Sequence, residues 1–244
     1  MPDVTDETDL LATLWEPRAA PRRGPKPAMS IEKIAEAAVK IADEEGFEAV
    51  ALQRVAADLG FTKMSLYRYV AGRDGLVAVM VEAAVDVPPA FPPETPWRER
   101  VKIFADALLV TWRDHPWLPW VTIGDRTMGP REVAWIECSI AALDGTPLTD
   151  RERLDASYVL FGLLRNAQSV SRAGTQLWTA DQRLRPVVRT ALDRRPEDFP
   201  QLARVAEAIG TAPAHDNGLG FGVERFLDGI QALIDGRKKA TRKR

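Results

Sequence analysis

Cysteine and histidine are scarce in this sequence of 244 residues. It contains one cysteine, Cys138, and two histidines, His115 and His215. A single cysteine excludes a disulfide within the chain and suits the reducing cytoplasm. These three residues lack ligand spacing, so we expect no metal site and no cofactor. Neither histidine has a nucleophile in context, and no glycine-rich phosphate loop follows a strand, so we expect no enzyme.

Long hydrophobic runs are also missing. No apolar segment approaches the roughly 18 residues that cross a bilayer. The first residues are acidic where a signal peptide would carry positive charge. We therefore expect a cytoplasmic protein without a membrane partner. The formal net charge is -2, so a nucleic-acid surface requires local sorting of charge.

The alternation of apolar and polar residues that is typical of β-strands is almost absent. Apolar residues recur instead at spacings of three and four, as in an amphipathic helix from Ile31 to about residue 45. Ser30 is predicted to cap this helix and Gly46 to end it. The pattern predicts an all-α fold, with further helices over about 52–59, 62–69, 74–86, 97–114, 130–143, 150–173, 180–194, 198–209 and 221–234.

The two ends of the chain differ from the helical segments in composition. Residues 1–28 change from acidic to basic and proline-rich, which predicts a flexible tail with a basic arm. The arm contacts DNA phosphates or the minor groove, or it only keeps the chain soluble. Residues 237–244 form a second basic tail, for which the solubilising role is favoured. The basic residues of the arm are Arg18, Arg22, Arg23 and Lys26.

Two short predicted helices meet at a tight turn, residues 59–62, in the manner of a helix-turn-helix. Gly60 permits the left-handed backbone at the corner, and Thr62 is the predicted cap of the second helix. Spacing alone would suit any small amphipathic helices, but exposed aromatic side chains beside basic ones favour DNA contact. The packing residues are Ala56, Leu59, Leu66 and Val70, and the exposed face consists of Thr62, Lys63, Ser65, Tyr67, Arg68 and Tyr69.

The residues around this turn resemble the N-terminal domain of the tetracycline-repressor (TetR) family. The similarity covers about residues 28–76 and rests on segments 34–38, 46–47, 55–60, 65–67 and 70–76. It implies a one-component regulator that binds double-stranded DNA. The implied division is a helix-turn-helix domain over 29–76 and a helical ligand-binding and dimerisation domain over 77–236.

The resemblance also assigns DNA contacts by position. Ala51 stands where the family often has Ser or Thr, so one phosphate contact is expected to be missing. Arg73 stands where Lys is usual and should still bind phosphate. With Arg68 from the exposed face, the predicted DNA-binding residues are Gln53, Thr62, Lys63, Met64, Ser65, Tyr67, Arg68, Tyr69 and Arg73.

Tryptophan is concentrated in the second part of the chain, where six of the seven occur after residue 96. The stretch from Trp97 to Leu118 resembles the C-terminal domain of the tetracycline-repressor type. Clustered aromatic and few polar side chains suit a pocket for a small-molecule effector, whose identity stays open. Core packing is the favoured alternative for any single tryptophan, and a cap or a partner for His115. The candidate ligand-binding residues are Trp112, His115, Trp117, Trp120, Trp135, Phe161, Arg165 and Gln168.

The family resemblance further implies a homodimer built on helices 150–173 and 218–236. A dimer places two helix-turn-helix units on a palindromic operator. The sequence thus predicts a ligand-responsive repressor. A helical small-molecule-binding protein without DNA recognition, and an activator of the same fold, stay open as alternatives. Packing within the subunit is the alternative role for some of the residues available for the dimer seam, which are Tyr158, Leu160, Leu164, Val223, Phe226, Leu227, Ile230 and Leu233.

Overall fold

The computed structural model describes residues 4–16, 29–173, 177, 179, 184–210 and 218–242. In these segments the regular secondary structure is helical. They contain one bridge residue, Leu184, and no β-strand, which confirms the all-α prediction. No helix in them is long and apolar enough to cross a membrane. The chain forms two compact units, residues 1–144 and 145–244.

The first unit contains eight of the helices in the described residues. They are α1 (Val4–Trp15), α2 (Ile31–Glu45), α3 (Leu52–Asp58), α4 (Lys63–Leu66), α5 (Gly72–Ala84), α6 (Trp97–Asp114), α7 (Leu118–Val121) and α8 (Pro130–Ala141). A 3-10 turn, Phe47–Ala49, follows α2. The second unit contains α9 (Asp150–Ala173), α10 (Pro186–Arg194), α11 (Pro200–Gly210) and α12 (Leu219–Arg242).

Helix α2 has the boundaries and the buried face that its sequence predicts. Ser30 Oγ accepts a hydrogen bond from Lys33 N at 3.4 Å, and Gly46 ends the helix with a φ of 93°. Ile34 and Ala38 are fully buried, and the helix packs against α5. Hydrophobic spacing and two local caps are therefore sufficient to define this element.

Some predicted boundaries are wrong by a few residues. Helix α4 ends at Leu66 rather than Tyr69, because Tyr69 N bonds to Leu66 O at 2.8 Å and closes a turn. Helix α5 begins at Gly72, two residues earlier than predicted. The 3-10 turn after α2 and the single turn of α7 were not predicted, since each is too short to show a periodic pattern.

The predicted flexible tail is wrong for residues 4–15, which form α1. Leu10 is buried, and Trp15 Nε1 donates to the backbone oxygen of Met128 at 2.9 Å. The prediction relied on the average composition of residues 1–28, which is polar, and so it missed the few apolar side chains of this helix. The basic arm from Arg18 to Lys26 lies outside the described residues.

The predicted end of the last helix near residue 234 is wrong, because α12 continues through Arg242 and includes most of the basic run. Arg237 holds this part of the helix in the second unit. Its guanidinium donates to Glu152 at 2.6 Å and to the backbone oxygen of Pro147. Thr149 and Glu152 cap the start of α9 reciprocally, and the hydrogen bonds from Thr149 lower the pKa of the Glu152 carboxyl.

Helices α9 and α12 pack together in the second unit. Leu160 and Leu164 of α9 and Leu227 of α12 are almost completely buried. Gly222 has no side chain where α12 meets Leu163, and a Cβ there would lie 2.6 Å from Leu163 Cδ1. The small residue allows the two helix backbones to approach closely.

Candidate nucleic-acid interface

The turn between α3 and α4 has the backbone of a helix-turn-helix corner. Gly60 adopts a φ of 73°, and Phe61 N bonds to Ala56 O at 2.8 Å. Ala56, Leu66 and Val70 are 1%, 0% and 2% exposed, so both helices rest on a common core. Leu59, predicted to share that core, is half-buried. The core fixes which side of α4 faces outward.

Two hydroxyl side chains hydrogen-bond to each other at the N-terminus of α4. Thr62 Oγ1 accepts from Ser65 N at 3.3 Å and lies 2.9 Å from Ser65 Oγ. This confirms Thr62 as the N-cap. It also gives Ser65, which is half-buried, a structural role within the turn in addition to its predicted DNA contact.

Lys63, Met64, Tyr67 and Arg68 are exposed side chains of the second half of this motif. Met64 is 73% exposed and Tyr67 is 44% exposed. The Lys63 ammonium lies 5.7 Å from the centroid of the Tyr67 ring, a cation–π contact that joins two of the predicted DNA-binding residues. Tyr69 is half-buried. Lys63, Met64, Tyr67 and Arg68 thus form the exposed polar and aromatic face of the motif, to which the half-buried Ser65 and Tyr69 contribute only in part.

Gln53 lies on α3 and Arg73 on α5, the helices before and after α4 in the chain, and both are exposed. Arg73, in the first turn of α5, donates from Nη1 to Val50 O at 3.2 Å. Its guanidinium carbon also lies 5.4 Å from the centroid of the Phe47 ring. Ala51 precedes α3 and provides no side-chain cap, so this position has no hydroxyl to offer a phosphate.

The tryptophans of the first unit mostly have structural partners. Trp112, Trp117 and Trp135 are buried, whereas Trp120 is 52% exposed. Trp135 Nε1 donates to Asp86 O at 2.7 Å, and its ring meets Phe104 edge-on at 5.8 Å. These contacts agree with the core-packing alternative for Trp135.

His115 and Trp117, at the end of α6 and before α7, share a partner on α2. Trp117 Nε1 donates to Asp43 Oδ1 at 2.7 Å, and His115 Nδ1 lies 3.0 Å from both carboxylate oxygens. Trp117 also stacks with Phe47 at 6.2 Å. His115 thus has the partner that its helix-end position suggested. Sequence reasoning missed Asp43 and assigned no role to Phe47.

The other ligand-binding candidates belong to the second unit. Phe161, Arg165 and Gln168 are half-buried on α9, and burial lowers the pKa of the Arg165 guanidinium. The assignment of the eight candidates to an effector pocket stays a prediction.

Two features bear on other chemistry. No cluster of His, Cys, Asp or Glu in the described part of the chain is arranged to hold a metal ion. Burial, with a smaller contribution from Glu137, raises the pKa of the Cys138 thiol to about 11. The thiol is therefore protonated at neutral pH and is a weak nucleophile.

A helix-turn-helix followed by a longer helical region defines a DNA-binding transcriptional regulator of the all-α class. The family model "Bacterial regulatory proteins, tetR family" matches residues 30–80. The model "Tetracyclin repressor-like, C-terminal domain" matches residues 89–236. The chain belongs to the TetR family of bacterial transcriptional regulators.

Two relatives are named as regulators of the same type. The chain is 33% identical to the HTH-type transcriptional repressor DrrR1 of Streptomyces coeruleorubidus, with 96% of this chain and 88% of the relative covered. It is 27% identical to an HTH-type transcriptional regulator of Saccharopolyspora erythraea, with 86% and 85% covered. Both alignments extend well beyond the helix-turn-helix.

Solved structures confirm the fold. Apo ActR of Streptomyces coelicolor matches with a TM-score of 0.69 at 22% identity, covering 86% of this chain and 99% of that one. ActR in complex with actinorhodin matches with a TM-score of 0.66 at 22% identity, covering 84% and 97%. At this identity the similarity concerns the fold alone.

Proposed function

We propose that this protein is a ligand-responsive repressor that binds a palindromic operator as a homodimer. The observation that carries the proposal is the exposed face of Lys63, Met64, Tyr67 and Arg68, whose orientation follows from the buried residues Ala56, Leu66 and Val70. Residues 29–76 would form the DNA-binding domain and residues 77–236 the effector and dimerisation domain. The repressor DrrR1, to which the chain is similar, supports repression over activation.

The chemistry of the face suits the major groove of DNA. Lys63 and Arg68 supply cations for phosphates or guanine edges, and Tyr67 supplies a hydroxyl with flat apolar surface. The chain as a whole carries a net charge of -2, so general attraction to DNA is weak. Affinity must then come from local contacts made twice, once in each subunit.

Exposed apolar side chains on α9 and α12 support the dimer. Tyr158 and Val159 are 62% and 60% exposed, and Phe221 and Leu233 are 70% and 49% exposed. Apolar surface of this kind on two adjacent helices is typical of an interface. Of the seam residues suggested by the sequence, Tyr158 and Leu233 are exposed and Phe226 is half-buried. Leu160, Leu164, Val223, Leu227 and Ile230 are buried within the subunit.

For the effector we propose a bulky aromatic compound. The structures of ActR with actinorhodin and with (S)-DNPA show that a protein of this fold binds small organic molecules. The aromatic and polar candidates of residues 77–236 are suitable for such a ligand. A ligand that prefers one of two dimer conformations would change the affinity for DNA by the ratio of its affinities for the two.

Selection of genomic fragments by the purified protein, followed by an electrophoretic shift assay, tests this function. We expect a bound fragment with an inverted repeat, and release of that fragment by an aromatic compound from a screen. Lys63→Ala and Tyr67→Ala should each weaken binding at least tenfold while the dimer stays intact. Arg195→Ala, which removes an exposed cation between α10 and α11, is the matched control and should bind as the unmodified chain does.

Two results separate the alternatives. Fragments bound only without sequence preference would contradict a repressor and favour the helical binding protein. Specific binding that an effector strengthens at a promoter it activates would favour an activator.

A further inference from the structure

Arg73, Phe47 and Trp117 lie in a continuous series of contacts in the first unit. The Arg73 guanidinium carbon is 5.4 Å from the Phe47 ring centroid. The Phe47 and Trp117 rings stack at 6.2 Å between centroids, with 17° between their planes. The series joins the exposed side chain at the start of α5 to a buried indole that precedes α7. We call these three residues the aromatic stack.

Both ends of the aromatic stack are held by hydrogen bonds. At one end Arg73 Nη1 donates to the backbone oxygen of Val50 at 3.2 Å. At the other, Trp117 Nε1 donates at 2.7 Å to the carboxylate of Asp43, which also meets His115. Trp117 is 5% exposed, so its position is defined by packing as well.

We infer that Phe47 and Trp117 are positioning residues that fix the Arg73 guanidinium for contact with a DNA phosphate. This inference rests on the proposed function. An exposed arginine loses rotamer freedom when it binds a phosphate. The Phe47 ring and Val50 O restrict that freedom before DNA arrives, so the contact is preorganised. A guanidinium has five N–H donors, and the bond to Val50 uses one of them.

The aromatic stack also extends beyond the DNA-binding domain. Phe47 and Arg73 lie within residues 30–80, which match the N-terminal family model, whereas Trp117 lies within residues 89–236, which match the C-terminal model. A displacement of Trp117 would therefore reach a phosphate contact through a single intervening ring. The packing around Trp117 within the first unit can therefore set the strength of a DNA contact.

The test is a double-mutant cycle on operator binding, measured across a series of salt concentrations. The DNA is the tightest genomic fragment bound by the unmodified chain. The slope of log K against log salt is negative. Arg73→Ala should make it less steep by about 0.9 for each phosphate that is no longer neutralised, or about 1.8 for a dimer. Phe47→Leu keeps apolar volume but removes the ring face from Arg73. Phe47→Leu should weaken binding about two- to fivefold for each half-site. It should also make the salt dependence less steep, as Arg73→Ala does.

The effect of Phe47→Leu on DNA affinity is compared in two variant backgrounds. The comparison shows whether Phe47 acts by positioning Arg73 or by stabilising the fold in general. In the Arg73→Ala background, Phe47→Leu should cause no further decrease in affinity, because the residue it positions is gone. In the Arg68→Ala background its full effect should persist, because Arg68 is not part of the aromatic stack. Thermal unfolding and sedimentation of each variant report whether the fold and the dimer are retained.

Asp43→Ala is the second variant, and it decides the matter if Phe47→Leu does not fold. It removes the acceptor of Trp117 Nε1 from the surface of α2 and should show the same non-additivity with Arg73→Ala at smaller amplitude. Additive effects with Arg73→Ala, or an unchanged salt slope in both variants or in Arg73→Ala itself, would overturn the inference. Failure of the unmodified chain to bind any specific fragment would instead refute the proposed function.

Discussion

The carboxylate of Glu82 in α5 accepts the backbone N–H of Arg131, in the first turn of α8, at 2.8 Å. A second, longer bond of 3.4 Å joins it to Glu132 N. A side chain of one helix thereby satisfies the free N–H groups at the start of another, which a carboxylate does well. Gly129, the residue before α8, leaves the space that the carboxylate occupies.

Gly129→Ala should displace this cap and destabilise the protein by about 1 kcal/mol, the usual cost of losing an N-cap. A Cβ at residue 129 would lie 2.2 Å from Glu82 Oε2, while the backbone φ of -87° suits alanine. Glu82→Ala should cost a similar amount. Urea unfolding of both single variants and the double variant measures the coupling. We expect the Gly129→Ala penalty largely to vanish when Glu82 is already alanine, and equal penalties in both backgrounds would contradict the account.

The same carboxyl gives the stability a pH dependence with a definite sign. Burial raises the pKa of Glu82, although the backbone bonds from Arg131 and Glu132 act against the rise. The folded state therefore binds the proton more tightly than the unfolded chain does, and Glu82 makes the fold less stable as the pH rises from about 4 towards 7. Glu82→Gln removes this term. The free energy of unfolding of Glu82→Gln minus that of the unmodified protein should increase as the pH rises over this range. A decrease would show that the hydrogen bonds affect the pKa of Glu82 more than burial does.

Met64 gives a prediction about the operator itself. Its side chain is 73% exposed on the same face as Lys63 and Tyr67, and an apolar group in the major groove can contact the methyl group of thymine. Replacement of single thymines by deoxyuridine should locate one position per half-site that weakens binding about threefold or more. Met64→Ala should abolish the effect at that position alone. A uridine effect that persists undiminished in Met64→Ala would assign the methyl contact to another residue.

Charge on the exposed faces of α9 and α12 should disrupt the proposed dimer. Tyr158→Asp and Leu233→Asp would each place an unpaired carboxylate in an apolar interface, so the dimer dissociation constant should rise at least about tenfold. Val187→Asp, at a 74% exposed valine of α10, makes a comparable change elsewhere. Sedimentation equilibrium compares the three. Equal effects, or none, would place the interface on another surface.

Local features of the sequence predicted much of the recognition motif. Ser30, Gly60 and Thr62 act within a few residues of their partners, so the residue type and its position define the backbone there. Because Leu66 is buried on one side of α4, helix geometry predicts that the residues on the opposite side are exposed. Such inferences depend on helix periodicity and capping alone.

The contacts that connect distant segments could not be predicted in the same way. Asp43 and Trp117 are 74 residues apart in sequence, and nothing in the pattern of α2 marks Asp43 as a partner of an indole. Helix α1 was missed because the burial of Leu10 and the hydrogen bond of the exposed Trp15 to Met128 both depend on tertiary structure. In both cases tertiary packing decides the role of a residue whose local sequence is uninformative.

Hydroxyl-radical footprinting on the selected genomic fragment tests the central claim most directly. The account predicts two protected half-sites related by an inverted repeat and centred about one helical turn, or a multiple of it, apart on the DNA. Lys63→Ala with Tyr67→Ala should erase both half-sites together while the protein remains folded and dimeric. No protected repeat at any salt concentration, or an unchanged footprint in the double variant, would contradict a repressor that reads DNA through this face.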